Sequence, residues 1–194
     1  MGTFAFQNTG IPGLRLITPF YVEDGRGSFL KSFERSVFRK NGVDIQGFEA
    51  FYTNSVKGTV RGFHFQRERC QDKLVQVLHG AVYDVAVDLR RDSATFGTWE
   101  GFFLTAENRQ MLYIPKGFAH GFLALEEDTL FSYLCGDQYD PASDGGIRWD
   151  DPELAVQWPL DRVDKPILSE KDAALPTFAE FLEQYGPLAA GGTS

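Results

Sequence analysis

Three histidines, His64, His79 and His120, occur in the 194-residue chain, and two of them stand in apolar, strand-like runs. His64 lies in VRGFHFQ and His120 in IPKGFAHGF. A neutral imidazole in a dry pocket accepts a proton near neutral pH. With a period of two, Gly62, His64 and Gln66 share one face of their run, and Arg61, Phe63 and Phe65 share the other. His120 with Phe122 and Ala124, Tyr133 with Phe131, and Asp84 with Val82, Ala86 and Asp88 form similar faces. If these faces line one interior, His64, His120, Asp84 and Tyr133 meet there beside aromatic walls. Tyrosine can deliver a proton as a general acid, and Lys73, beside the mouth of that interior, can stabilise an oxyanion on a bound carbonyl. Base, acid and cation together suit proton abstraction next to a ketone, through an enolate.

The elements that must carry these groups are strands. Between residues 58 and 135 one short apolar run follows another, and LVQVLHGAVYDVAVDLR reads as two strands broken at His79-Gly80. Further strands are expected near 99–104, 110–114, 120–125 and 129–135, and the short connections imply antiparallel pairing. Residues 3–60 read as irregular, with a Gly-Arg-Gly turn at 25–27 and one helix near 33–40 closed by Asn41-Gly42. Thr177 and Glu180 predict a capping box for a helix that stops at Gly186, and the tail from 187 to 194 is expected to fray. One domain over 1–194, with its core over about 45–160, fits the length.

Composition agrees with an all-β sandwich or barrel: 18 Phe, 7 Tyr and 3 Trp are interspersed with 20 Gly. A net charge of −8 argues against a nucleic-acid or anionic-membrane binder, so any anionic ligand must meet a local basic cluster. The start, MGTFAFQNTG, lacks the basic flank and apolar run of a signal peptide, and no apolar stretch is long enough to span a bilayer. A cytoplasmic chain is expected, with Cys70 and Cys135 reduced and incidental. His79 and the run from Trp149 to Pro152 read as turns.

An antiparallel jelly-roll barrel with an inward histidine resembles the cupins, many of which bind a metal through His-x-His, a glutamate and a later histidine. Here Gly58 is followed by His64-Phe65-Gln66, with Cys70 and Gln71 where the glutamate belongs, whereas Pro115-Lys116-Gly117-Phe118-Ala119-His120 keeps the second half of the pattern. The barrel signature survives and two of the first three ligands are gone, so the expectation is no metal.

VRGFHFQ, DKLVQVLHGAVYDVAVDLRRDSATFGTW, IPKGFAHGF, GGIRWDDPELAVQWP and PILSEKD, in that order, resemble the dTDP-4-dehydrorhamnose 3,5-epimerase family, from about residue 12 to 180. The resemblance implies a cupin-like jelly roll with short C-terminal helices, a homodimer that exchanges N-terminal strands, and epimerisation of a nucleotide-linked 4-keto-6-deoxyhexose without metal or cofactor. His64 matches the family's base, Asp172 the carboxylate that orients it, Tyr133 the acid and Lys73 the group facing the sugar C4 oxygen. His120 and Asp84 match polar partners in the pocket. Arg26 and Arg61 match phosphate-facing arginines, and Lys171, Phe29 and Tyr139 match further ligand contacts.

The sequence departs from the family's pattern at several positions. Gln-Asp-Asn-His-Ser is replaced by the stretch from Glu49 to Ser55, with Glu49 counted on the substrate side. Lys31 stands for a glutamate, Asp72 and Gln76 for a glycine and an arginine, and Gln138 for a tyrosine. These changes are expected near the ligand, where they bear on the nucleotide and on whether C3 alone or both C3 and C5 are inverted. A sugar-nucleotide ketoisomerase and a non-catalytic sugar-binding cupin are the alternative readings.

Overall fold

The computed structural model describes residues 3–189. In chain order the elements are β1 (Ala5–Asn8), β2 (Arg15–Thr18), β3 (Phe20–Asp24), β4 (Gly27–Lys31), α1 (Arg35–Lys40), β5 (Glu49–Ser55), β6 (Val60–Gln66), β7 (Lys73–His79), β8 (Ala81–Asp88), β9 (Trp99–Thr105), β10 (Met111–Ile114), β11 (Phe118–Ala124), β12 (Thr129–Cys135), β13 (Asp144–Gly146), α2 (Glu170–Ala173) and α3 (Phe178–Tyr185). They form a six-stranded sheet, β1-β2-β10-β7-β12-β5, facing a five-stranded sheet, β13-β6-β11-β8-β9, with β3-β4 as a separate hairpin. The strand pairings within these sheets are antiparallel.

Val75, Val77, Leu112 and Phe131 from the first sheet meet Val82, Ala86, Leu104 and Phe122 from the second, closing the barrel interior at one end. Alternate residues of β8 and β6, among them Val85, Val87, Phe63 and Phe65, point the other way and are covered by Ile147, Leu154, Phe178 and Phe181. Ile17, Leu74 and Met111 on the outside of the six-stranded sheet are covered by Phe38, Val43 and Ile45. With apolar cover on both faces, these strands carry near-continuous apolar runs.

The hairpin break falls as expected, with Gly80 at φ 78 between β7 and β8. A Cβ there would stand 2.5 Å from Thr129 Oγ1. α1 begins at Arg35 because Glu34 is still extended at φ −145. The capping box is formed: Glu180 N donates to Thr177 Oγ1 at 3.2 Å and Thr177 N to Glu180 Oε2 at 2.8 Å.

Two readings need correction. The segment before residue 60 is not irregular. It forms five strands, three of which complete the six-stranded sheet. β1 and β2 have only four residues each, too few for alternation to register, and β2 is held in place by pairing with β10. Nor does the tail fray from 187: Leu188 is buried, its N donates to Leu89 O at 2.8 Å, and its O accepts from Arg91 N at 2.9 Å. Residues 190–194 lie outside the described residues. The Trp149–Pro152 run is a turn as expected, with buried Asp151 accepting from the backbone N–H groups of Glu153, Leu154 and Phe178. His79 is exposed, but it ends β7, paired with Leu130 of β12, and the turn falls at Gly80; its Nδ1 is 3.1 Å from Asp128 O.

Candidate active site

β6 does not keep the regular alternation that would set Arg61 opposite in facing to His64. His64 pairs with His120 across to β11 but Arg61 pairs with Phe122, so a bulge falls between them. Gly62, at φ 116, makes the bulge possible, since a Cβ there would stand 2.6 Å from both Gly121 Cα and His120 O. Arg61 and His64 consequently line the same cavity, of about 250 Å³, between the two sheets.

Of the residues singled out by sequence, Arg61, His64, Lys73, His120, Tyr133, Tyr139 and Lys171 line this cavity. Asp172 and Asp84 stand behind the histidines. His64 Nε2 is 2.5 Å from Asp172 Oδ1, and His120 Nε2 is 2.7 Å from Asp84 Oδ1. Asp172 is buried, which raises its carboxyl, but the bonds from His64 and Ser169 and the nearby Lys171 overrule burial and hold it below the usual carboxylate range. As an ionised carboxylate it accepts a hydrogen bond from Nε2–H, leaving the lone pair of His64 on Nδ1. α2 presents Asp172 through two supports. Ser169 Oγ accepts from Asp172 N at 3.0 Å, and the neighbouring Lys171 Nζ is 2.5 Å from Asp144 Oδ2 on β13, which itself pairs with β6.

Tyr133 stands on β12 in the opposite sheet, nearly buried at 7 % exposure. Burial, reinforced by the charge of Asp84, pushes its phenol well above the ordinary tyrosine value, so it stays protonated. Lys73 has its ammonium lowered by burial, against the nearby Cys135, Cys70, Asp72 and Asp144, and among the described residues no carboxylate pairs with it. Asp84 Oδ2 is buried and has no hydrogen-bond partner among the described residues.

Other expected residues fall elsewhere. Arg26 pairs with Asp24 at 2.7 Å at the tip of the β3-β4 hairpin, and Phe29 on the same hairpin is 54 % exposed; neither lines the cavity. Glu49 is a strut whose Oε2 accepts from Tyr139 N at 3.1 Å. Asp72 and Gln76 alternate with Lys73 onto the outside of the sheet: Tyr113 OH donates to Asp72 Oδ2 at 3.1 Å, and Gln76 Nε2 donates to Arg109 O at 3.1 Å. The expectation that these two departures lie near the ligand is therefore corrected, because β7 has opposite faces for consecutive residues. Lys31 pairs with Glu34, and Gln138 contributes a backbone carbonyl.

Gln66, in the place of a cupin metal ligand, has its amide committed to loops: Nε2 donates to Arg69 O and Gln138 O, and Oε1 accepts from Asp140 N. Among the described residues no group of three His, Cys, Asp or Glu is placed to hold a metal ion. Phe51 and Thr53, from the departing stretch expected near the ligand, line the cavity, as do Gln71 and Asp144, which sequence reading did not assign to the site. Alternation along β5 carries a signal for Phe51 and Thr53; nothing local marks Asp144.

The family model for dTDP-4-dehydrorhamnose 3,5-epimerase matches residues 8–180. A curated protein of that description from Methanothermobacter thermautotrophicus is 46 % identical over 172 residues, covering 89 % of this chain and 93 % of the relative. A crystal structure of a dTDP-6-deoxy-D-glucose-3,5-epimerase from Legionella pneumophila, in complex with dTDP-4-keto-L-rhamnose, superposes with a TM-score of 0.91 at 39 % identity, over 98 % of this chain and 100 % of that one. A 3'-monoepimerase from Streptomyces bikiniensis, in complex with dTDP-quinovose, gives 0.87 at 32 %, over 93 % and 91 %.

Proposed function

The chain belongs to the dTDP-4-dehydrorhamnose 3,5-epimerase family of isomerases, and from that premise we propose that it epimerises a nucleotide-linked 4-keto-6-deoxyhexose, dTDP-4-keto-6-deoxyglucose first among candidates, at C3 and C5. The observation that carries this reading is the disposition of two proton-handling groups on opposite walls of one cavity. His64, backed by Asp172, stands on the five-stranded sheet, and a protonated Tyr133 stands on the six-stranded sheet. A sugar ring held between them meets a base on one face and an acid on the other.

C3 and C5 both flank the C4 ketone, so one carbonyl acidifies both C–H bonds. His64 takes the proton, Asp172 stabilises the imidazolium that forms, and Lys73 meets the negative charge that develops on the C4 oxygen. Tyr133 returns a proton to the other face and inverts the centre. Arg61 and Lys171 supply the local positive charge for the diphosphate in an acidic chain, and Tyr139 offers an aromatic face to the nucleoside. The substrate carries its own activating ketone, so the steps draw on side chains alone.

The working form in this reading is a homodimer in the cytoplasm. Its support is the pair of unsatisfied surfaces on one chain. Among the described residues β5 is an unpaired edge with Tyr52 and nearby Phe48 exposed, and β3-β4 is an isolated hairpin with Val22 and Phe29 exposed. A hairpin added to the partner's β5 edge satisfies both, and carries Arg26 and Phe29 toward the pocket that they do not reach in their own chain. Cys70 and Cys135 are free and buried, as suits a reducing compartment.

The test is incubation with dTDP-4-keto-6-deoxyglucose in deuterated water. Label is expected at C3 and C5. His64→Ala is expected to abolish exchange with the fold intact, and Tyr133→Phe to keep exchange while losing inverted product. A fully active His64→Ala protein would overturn the assignment, label at C3 alone would make it a 3-epimerase, and a shifted carbonyl without label at C5 would make it a ketoisomerase.

A further inference from the structure

Phe51 falls in the stretch where this sequence replaces the family's polar Gln-Asp-Asn-His-Ser, and it is the ring packed on the proton donor. The register of β5 against β12 sets Phe51 directly opposite Tyr133, so both side chains enter the cavity from the same sheet face. Their rings are stacked, with centroids 4.6 Å apart and planes 13° from parallel. Phe131 closes on Tyr133 edge-on at 4.9 Å and His120 at 6.0 Å. Phe131 is fully buried and His120 nearly so, whereas Phe51 is 40 % exposed at the rim. The deep side of the phenol is therefore blocked, and Phe51 is the group that stops it from swinging outward.

We propose that Phe51 is a positioning residue for the proton-returning step: its stack on Tyr133 holds the phenol against the cavity wall and so sets how often an enolate is inverted rather than returned. The inference rests on the epimerase reading above. After His64 removes the C–H proton, the bonding pair becomes part of the enolate, with negative charge on the C4 oxygen. Two exits follow. The imidazolium of His64 can return a proton to the original face, which re-forms the starting centre. Alternatively, the Tyr133 O–H bond breaks, its proton forms the new C–H bond on the other face, and the phenolate regains a proton from solvent while His64 releases its own. Only the second exit depends on where the phenol stands.

The experiment measures, in deuterated water, label in recovered substrate against label in inverted product for the wild type, Phe51→Leu, Phe51→Ala and Phe51→Tyr. An aromatic pair contributes about 0.5–1.5 kcal/mol, which corresponds to a change of about 2- to 13-fold. Phe51→Leu and Phe51→Ala are expected to lower the ratio of inversion to exchange by that factor, with total deprotonation near the wild-type rate. Phe51→Tyr, which keeps the stack, is expected to restore the ratio. If Phe51→Ala does not fold, the Leu and Tyr variants decide the matter. A folded Phe51→Leu protein with an unchanged ratio, or with exchange and inversion reduced equally, overturns the proposal, since a ring that only fills space lowers both together. A wild type that exchanges neither carbon sinks the epimerase reading itself; normal wild-type exchange with no shift in the variants sinks only the role of Phe51.

Discussion

Asp172→Asn isolates the carboxylate behind the base while leaving its scaffold in place. The substitution keeps the backbone N–H that donates to Ser169 Oγ at 3.0 Å, and it leaves the Lys171–Asp144 pair untouched. What changes is the group 2.5 Å from His64 Nε2, whose side chain is 6 % exposed against 36 % for His64. A hydrogen bond to a charged partner contributes about 1.5–3 kcal/mol. Because the imidazolium exists only after proton removal, losing that energy raises the barrier, and the rate of deprotonation is expected to fall about 10- to 150-fold. The upper end is reached if the introduced amide donates to Nε2, since the proton then moves to Nδ1 and the base is lost. The assay is deuterium wash-in at C3 and C5 under saturating substrate, with thermal melting as the control for folding. A loss smaller than about 3-fold in a folded protein, well under the range set by the charged hydrogen bond, would refute the reasoning.

Gly62→Ala would place a methyl 2.6 Å from His120 O and Gly121 Cα at a φ of 116, so the β6 bulge is expected to be lost, at a cost of at least about 2 kcal/mol in urea unfolding. Affinity for nucleoside diphosphate is expected to fall with it, because Arg61 returns to the outer face; calorimetry on the folded fraction checks this. Asp88 is fully buried and accepts from Arg90, Ser93 and Thr95. Burial raises its carboxyl, but these donors overrule it and hold the pKa below the ordinary value. Its stabilisation is therefore complete above about pH 4, the unfolded-chain value, and is lost as pH falls through the lowered folded value. Asp88→Asn is expected to cost about 3–5 kcal/mol at neutral pH and to flatten the acid limb of a Tm-against-pH curve; an unchanged limb would count against this account.

The strand order along residues 58–135, the hairpin break at Gly80 and the capping box at Thr177 were legible because each is a local matter. Alternation, a left-handed turn and a reciprocal pair of hydrogen bonds are all written within a few residues. The resemblance carried His64, Tyr133, Lys73 and Asp172 as a set, and the geometry puts the first three on one cavity with Asp172 behind His64. Local pattern failed where pairing partners lie far away in sequence. β1 and β2 exist because β10 supplies an edge, and Leu188 is buried because Leu89 accepts its N–H.

The face each residue presents was also beyond the sequence wherever the period of two breaks or is misjudged. A bulge at Gly62 turns Arg61 into the cavity, while unbroken alternation carries Asp72 and Gln76 out of it. By itself the sequence determined which chemical groups are available and the strands that carry them. Only the tertiary structure decided that His64 and Tyr133 face each other from separate sheets, and that Phe51 lies flat on Tyr133. The physical reason is that register and sheet packing are set by contacts between residues tens of positions apart, which no local periodicity records.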